Sequence, residues 1–313
     1  MAELVFLGGM GRSGTNLLRN ILDSHPDVAS GPEFNLVEDI IRLYRSLSLA
    51  VDQERISSYL SQARLRLLVK NFMAGIFEEY GDRLGKRIVV EKTPSNIWQF
   101  LELSHLFPTA KFIHVVRDGR DVCCSHREVG LRLKQQGLPL DHVKDSALLS
   151  IFHCAALWNE TLHYGYQECG EDSDLYKAGK VITIKYEDLV VDPESVVRRI
   201  CEHLELPFNH QMLSPHLFPH DTFVDGAWVR PTDLISAINM RSVGRWVKNM
   251  SLEDRVLFAA KGQNGLLTAG YENTVAWTFA GVEATPETAA VSVNSAKEKI
   301  KQFNIESAAA TRH

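Results

Sequence analysis

Near its start the chain runs from an apolar stretch, Leu4-Val5-Phe6-Leu7, into Gly8-Gly9-Met10-Gly11-Arg12-Ser13-Gly14-Thr15-Asn16. Leu17, Leu18, Ile21 and Leu22 then recur at helical spacing. A strand that passes through a glycine-rich turn into a helix has few ways to fold. Glycines let the backbone approach a ligand closely, and the first N–H groups of a helix have no intrahelical acceptor. Ser13 and Thr15 add hydroxyls and Arg12 a fixed positive charge. The stretch from Gly11 to Asn16 therefore reads as a phosphate cradle; a turn that needs glycine for shape alone is the competing explanation.

The ATP and GTP version of such a loop carries Lys after its last Gly, to reach the outer phosphates, and then Ser or Thr for magnesium. Counted from Gly9, the last Gly is Gly14, and Thr15 and Asn16 follow. The anion-binding backbone is kept while both residues of the metal-dependent triphosphate machinery are missing. A phosphate-containing ligand handled without a metal is the expectation.

Gly11-Arg12-Ser13-Gly14-Thr15, followed by Leu17-Leu18 and His25-Pro26-Asp27-Val28, resembles the 5′-phosphosulfate loop of sulfotransferases that use 3′-phosphoadenosine 5′-phosphosulfate (PAPS). The likeness is greatest to the tyrosylprotein sulfotransferase branch and its bacterial relatives. Further matches follow in order: Glu91-Lys92-Thr93-Pro94, then Arg117 with Ser125 eight positions later, Tyr186 in Tyr186-Glu187-Asp188-Leu189, and Ser242 in Arg241-Ser242-Val243-Gly244-Arg245-Trp246. The likeness runs from about Leu4 to Gly270-Tyr271.

The resemblance implies in-line sulfuryl transfer from PAPS to an acceptor hydroxyl, leaving adenosine 3′,5′-bisphosphate. By analogy with phosphoryl transfer, such a reaction depends on positioning and electrostatic stabilisation. It assigns Glu33, in Gly31-Pro32-Glu33, as the general base, although Pro32 replaces a Glu of the family pattern. His25 and His126 are the alternatives, because cytosolic members of this class use a His. Lys92 would neutralise the leaving oxygen, Arg12 would hold the sulfonate and 5′-phosphate, and Ser242 would donate to the same leaving oxygen. Arg117 and Ser125 would take the 3′-phosphate, and Tyr186 the adenine end. Arg245 and Lys248 would close over the nucleotide. Asp118, Arg120 and Asp121 are read as structural.

A net charge of −5 gives no indication of a general nucleic-acid-binding surface. PAPS carries about four negative charges, so its site has to be a local basic cluster on an acidic protein. With 45% hydrophobic residues over 313 positions, the chain can bury a large core. No secretory signal and no apolar run of membrane-spanning length is found, so the chain reads as cytoplasmic and without a membrane span, unlike the Golgi-anchored animal enzymes of the resembled branch. Five cysteines, odd in number and without a Cys-x-x-Cys pair, read as reduced thiols.

Apolar runs at Arg87–Glu91, Lys111–Val116 and Lys180–Lys185 alternate with helical patterns. This implies an α/β fold: a P-loop-type, mostly parallel sheet flanked by helices, with ligands at the carboxyl ends of the strands. A helical insertion of about residues 36–82 follows the first βα unit. One sulfotransferase domain is expected over 1–273, with a tail over 274–313 that is only partly ordered apart from a short helix near Lys297–Phe303. Asp192-Pro193-Glu194 and Ser251-Leu252-Glu253-Asp254 are helix starts. Pro207–Pro231 reads as a loop or lid; Pro215 and Pro219 break the helix that a zinc site on His210, His216 and His220 would need.

The acceptor is a hydroxyl on a tyrosine, a glycan or a small molecule, and the oligomeric state, a homodimer included, is open. The alternatives are a P-loop small-molecule kinase and a non-catalytic adenosine-nucleotide-binding protein.

Overall fold

Alternation along each strand decides this fold. In the computed structural model, which describes residues 2–137, 148–221, 236–281 and 284–310, β1 (Glu3–Gly9) sends Val5 and Leu7 to one face and Phe6 to the other. Both faces are covered. α1 (Thr15–Asp23) lays Leu18, Ile21 and Leu22 on the first. After the short β2 (Val28–Ala29), α2 (Val37–Asp52) and α3 (Gln62–Leu84) lay Val37, Ile41, Met73 and Phe77 on the second.

β3 (Ile88–Lys92) repeats the pattern, with Ile88 and Val90 on the first face and Val89 on the second. α4 (Phe100–Leu106) follows, and β4 (Lys111–Val116) divides Ile113 and Val115 from Phe112 in the same way. Further along come α5 (Gly119–Gln135), α6 (Ile151–Cys169), α7 (Asp174–Lys177) and β5 (Val181–Lys185). α8 (Tyr186–Val191), α9 (Pro193–His203), α10 (Trp246–Asn249), α11 (Leu252–Thr268) and α12 (Pro286–Ala310) complete the chain.

The sheet order is β2-β3-β1-β4-β5, and every pairing is parallel. Strands buried on both faces are what an all-parallel sheet requires. The chain leaves β1 toward one edge of the sheet and later fills the other, so the carboxyl end of β1 lies where the strand order reverses. That is where open α/β sheets bind ligands.

The chain forms two compact units, residues 1–116 with 164–240, and residues 117–163 with 241–313. The first holds the whole sheet. The second is helical, and its interior is aromatic: Trp158 packs on Phe258, and Phe258 on Trp277. There the Arg120 guanidinium lies 4.0 Å from the Trp246 ring centroid and 4.8 Å from that of Trp277, while pairing with Asp118 at 2.6 Å and Glu272 at 2.5 Å.

Several details differ from the sequence-based expectation. The stretch after Thr93 starts as a 3₁₀ helix, Pro94–Gln99, before α4, with Pro94 in its first turn. The tail is not a short helix but α12, anchored in the second unit by Phe303 stacking on Phe152 at 5.1 Å and by a Lys299–Glu253 ion pair. The Pro/His-rich stretch begins with two 3₁₀ turns, His210–Leu213 and Pro215–Leu217; the part of that expected loop from 222 to 231 lies outside the described residues, as do 144–147 of the helical stretch that the sequence pattern places at about Lys144–Glu168. Both expected helix starts are present: Asp192 caps α9 with Pro193 in its first turn, and Ser251 and Asp254 form a reciprocal capping box on α11. All five cysteines are free and buried. Among the described residues no helix is long and apolar enough to cross a membrane.

His114 sits at the centre of β4, 1% exposed, with its Nδ1 3.4 Å from Thr183 Oγ1. Burial pushes its pKa down to about 4 from the ordinary 6.5. Between those values the unfolded chain takes up a proton that the folded chain refuses, so stability falls as pH falls through this window. The unfolding free energy should drop by up to about 1.4 kcal/mol per pH unit from pH 6.5 toward 4 on account of this residue. Urea melts of the wild type and His114→Leu at pH 7 and pH 5 test this; equal slopes would contradict a neutral buried imidazole.

Candidate active site

At the carboxyl end of β1 the backbone turns sharply, with Arg12 at φ 69° and Gly14 at φ 93°. Successive turns of this hand form a concavity of N–H groups suited to an anion. Ser13 N–H closes the turn by donating to Met10 O at 3.1 Å. α1 then starts with no side-chain cap and no acidic residue in its first turn. Its leading N–H groups therefore carry the positive end of the helix dipole without a competing carboxylate. The Ser13 hydroxyl is buried, the residue being 1% exposed, and has no hydrogen-bond partner among the described residues. A buried hydroxyl aimed at nothing is costly unless a ligand supplies its partner. These features fit a phosphate or phosphosulfate group.

β3 delivers two charged residues to this end of the sheet, and alternation sends them to opposite faces. Lys92, 3% exposed, donates from Nζ to Asn16 Oδ1 in the first turn of α1 and to Glu33 Oε1. Burial pulls its pKa down, opposed chiefly by Glu33. The cradle helix, Lys92 and Glu33 thus form one hydrogen-bonded group.

Glu91 points the other way and is also buried. It accepts from Thr93 Oγ1 at 2.7 Å, from Asn96 Nδ2 and from Phe34 N–H at 3.3 Å. Burial pushes its pKa up, against those hydrogen bonds. Thr93 Oγ1 also accepts from Asn35 N–H at 3.3 Å. The backbone just after Glu33 is therefore tied to the end of β3.

Tyr186, opening α8 at the end of β5, lies against the cradle: a Cβ at Gly14 would collide with its ring. His25 spends both ring nitrogens on structure, Nδ1 accepting from Asp27 N–H at 3.1 Å and Nε2 meeting Pro207 O at 2.9 Å. His220 bridges Asp23 at 2.7 Å and Pro215 O at 2.9 Å. Among the described residues no three His, Cys, Asp or Glu side chains gather as a metal site.

In the second unit, Arg117 Nη2 donates to Ser242 O at 2.5 Å. The buried Asp121 carboxylate accepts from Gly244 N–H at 2.8 Å and Trp246 N–H at 2.9 Å, so the 242–246 turn is held at the start of α5. Burial raises the Asp121 pKa, and Arg117 is the main opposing influence. Ser125 is buried in the second turn of α5. Arg245 pairs with Glu128 at 2.5 Å, and Lys248 is exposed on α10.

A family model described as the sulfotransferase family matches residues 5–210, more than half of the chain. The chain belongs to the sulfotransferase family. Protein-tyrosine sulfotransferase 1 of Danio rerio is 27% identical over 264 residues, covering 80% of this chain and 67% of that protein. The protein-tyrosine sulfotransferase of Drosophila melanogaster is 27% identical over 250 residues, covering 78% of this chain and 47% of its own length. The chain thus spans between about half and two thirds of these relatives. A solved sulfotransferase domain from the curacin biosynthetic pathway superposes with a TM-score of 0.59 at 20% identity, over 88% of this chain and 99% of that one. The fold is that of a sulfotransferase.

Among the residues singled out from the sequence of this sulfotransferase, Asn16, Glu33 and Lys92 come together, as do Gly14 with Tyr186 and Arg117 with the Ser242 backbone. Reading the sequence missed Glu91 and Arg19. Arg19, on α1 and 2% exposed, donates from Nη1 to Ser30 O and Asp221 O, both at 3.0 Å, and so joins the segment before Glu33 to the Pro/His-rich stretch. The available signals were a carboxylate directly after three buried apolar residues and a cation on the apolar side of a helix.

Gly14 should tolerate no side chain, for two separable reasons. Gly14→Ala loses about 1–2 kcal/mol to the left-handed backbone and more to the collision with Tyr186. In a Tyr186→Ala background only the backbone cost should remain. A double-mutant cycle by urea denaturation measures this, and additive costs would show that the ring does not constrain the loop.

Proposed function

We propose that this sulfotransferase moves the sulfuryl group of PAPS to an acceptor hydroxyl, with Glu33 as general base. The observation that carries the reading is the single amine of Lys92 shared between Asn16 of the cradle helix and Glu33. It puts a cation between the group that would hold the phosphosulfate and the group that would take the acceptor's proton. PAPS supplies the activated sulfuryl group. The backbone from Gly11 to Asn16 and the Ser13 hydroxyl bind the 5′-phosphate, and Arg12 adds charge to the sulfonate. Lys92 counters the charge that grows on the leaving oxygen. Glu33 accepts the hydroxyl proton, helped by a backbone that Glu91 and Thr93 hold in place.

The Tyr186 ring supports adenine recognition. For the 3′-phosphate the support is the motif, Arg117 followed by Ser125. Ser242 is the further donor to the leaving oxygen, and Arg245 and Lys248 close over the nucleotide, for which Arg245 would have to leave Glu128. A magnesium-dependent kinase is disfavoured, because Thr15 and Asn16 stand where Lys and Ser or Thr are required and the Asn16 amide oxygen is engaged by Lys92. The zebrafish and Drosophila relatives carry the name protein-tyrosine sulfotransferase, which supports a hydroxyl-bearing acceptor.

Transfer of labelled sulfate from PAPS to a panel of tyrosine peptides, glycans and phenols tests the reading. Glu33→Ala and Lys92→Ala should each lower turnover by at least about a hundredfold in protein that is still folded. Unchanged turnover in both would overturn the mechanism. Arg117→Ala should weaken binding of adenosine 3′,5′-bisphosphate in a thermal-shift titration, and equal affinity would show that the 3′-phosphate is held elsewhere.

A further inference from the structure

Glu33 faces two ways. Its Oε1 meets Lys92 on the cradle side, and the residue also lines a cavity of about 330 Å³ between the Gly31–Phe34 turn and α3. The walls that close this cavity are apolar: Phe34, Ile76 and Phe77 with Val89 and Val90 of β3. Nothing in the cradle or in the Lys92 group accounts for such a hollow beside a catalytic carboxylate. We infer that the cavity receives the body of the acceptor, that its size and charge select an uncharged hydroxyl compound of about one ring, and that Ile76 and Tyr80 of α3 set this selectivity. The inference rests on Glu33 being the base.

The volume sits near the lower end of small-ligand pockets, which run roughly 300–1,000 Å³. A phenol or cyclic alcohol fits inside whole, whereas a glycan chain or a peptide could enter only by one ring, with the rest left outside the cavity. The charge balance points the same way. Glu33 is answered by Lys92, and Glu91 is consumed by Thr93, Asn96 and Phe34. Among the described lining residues, Arg83 is the only cation and Asp221 carries the opposite charge, while Arg19 nearby is engaged by Ser30 O and Asp221 O. Among the described residues no surplus cation lines the cavity to pair with an anionic acceptor, so such an acceptor would lose its hydration there without compensation. The Arg83 guanidinium stands 5.7 Å from the Tyr80 ring centroid.

Tyr80 supplies the polar contact of an otherwise apolar hollow. Its hydroxyl comes close to Gly31, 3.1 Å from where a Cβ there would lie, and so reaches the turn that carries Glu33. Burial pushes its pKa up, so the phenol keeps its proton and can donate to a second oxygen of the acceptor. Ile76, from one turn earlier on α3, takes no part in the cradle or the Lys92 group, which makes it a clean place to alter the cavity.

Three acceptors distinguish the outcomes: p-cresol, cyclohexanol, and a tyrosine peptide flanked by aspartates. Wild-type protein should transfer sulfate to p-cresol more efficiently than to the acidic peptide. Ile76→Trp, which fills the cavity, should raise the KM for p-cresol at least tenfold and abolish its ligand-observed NMR binding signal. Affinity for adenosine 3′,5′-bisphosphate, measured by calorimetry, should stay within twofold. Ile76→Ala should instead admit bulkier phenols, which guards against misfolding of the larger variant, and Tyr80→Phe should weaken acceptors with a second oxygen. If the wild type transfers sulfate but Ile76→Trp leaves the p-cresol KM and NMR signal unchanged, or if the acidic peptide is the better acceptor, the cavity assignment is wrong while the sulfotransferase reading stands. If the wild type transfers sulfate to none of the three but does so to another member of the wider panel of peptides, glycans and phenols, the cavity assignment alone falls; if it transfers to no member of that panel, both fall.

Discussion

Burying an ammonium group costs several kcal/mol unless partners replace the water it loses. Lys92 is such a group, and the two partners it has found come from different parts of the chain. Asn16 belongs to the first turn of the helix that follows the glycine loop, and Glu33 to the turn after the short second strand. Removing either partner leaves the amine under-satisfied, so the loop, the strand end and the carboxylate hold one another in register. Glu33 keeps about a third of its side chain exposed, so its pairing with Lys92 is softened by solvent and can be exchanged.

The same strand solves a second problem. Period-two alternation that sends Ile88 and Val90 to one core and Val89 to the other continues into Glu91 and Lys92. Glu91 therefore faces the side where Asn96 and Thr93 wait, and fixes the Phe34 backbone. Lys92 faces α1. Two adjacent charges, directed oppositely by strand geometry alone, tie the turn that carries Glu33 to the sheet from one side and to the start of α1 from the other. A one-residue slip of β3 would exchange the two and disconnect the group, which gives the pairing of β3 with β1 a functional as well as a structural consequence.

Much of this could be read from the amino acids in order. The apolar runs became the parallel strands because alternating and continuous apolar patterns mark strands buried on both faces. The strand, turn and helix start around Gly11–Asn16 could be read because they are local, lying within about fifteen residues. What could not be read depends on distant partners. Gly14 was legible as a turn glycine, but its second reason, the Tyr186 ring, comes from the far side of the sheet order. Arg19 looks like any helical arginine until Ser30 O and Asp221 O converge on it. The tail, poor in large apolar residues, gave a weak helical signal, and α12 owes its place to contacts such as Phe303 on Phe152 rather than to its own pattern. Arg120, read as structural, is so, but the sandwich between Trp246 and Trp277 lies in tertiary packing that no spacing encodes.

A polyanionic nucleotide on a protein of net charge −5 raises the question of how selectivity survives the overall repulsion. The cations proposed to meet it are not loose surface charges. Lys92 is paired with Glu33, Arg245 with Glu128, and Arg117 with the Ser242 carbonyl beside Asp121. Each is held in place by a partner within the protein, so it is positioned before an anion arrives. Preorganised charge attracts only an anion that can outbid the partner at that position, and it spares the entropy of gathering long side chains. An arrangement of this kind trades raw affinity for discrimination. A protein with an excess of free lysines would bind any polyanion, whereas cations that already have partners answer chiefly to an anion able to replace those partners.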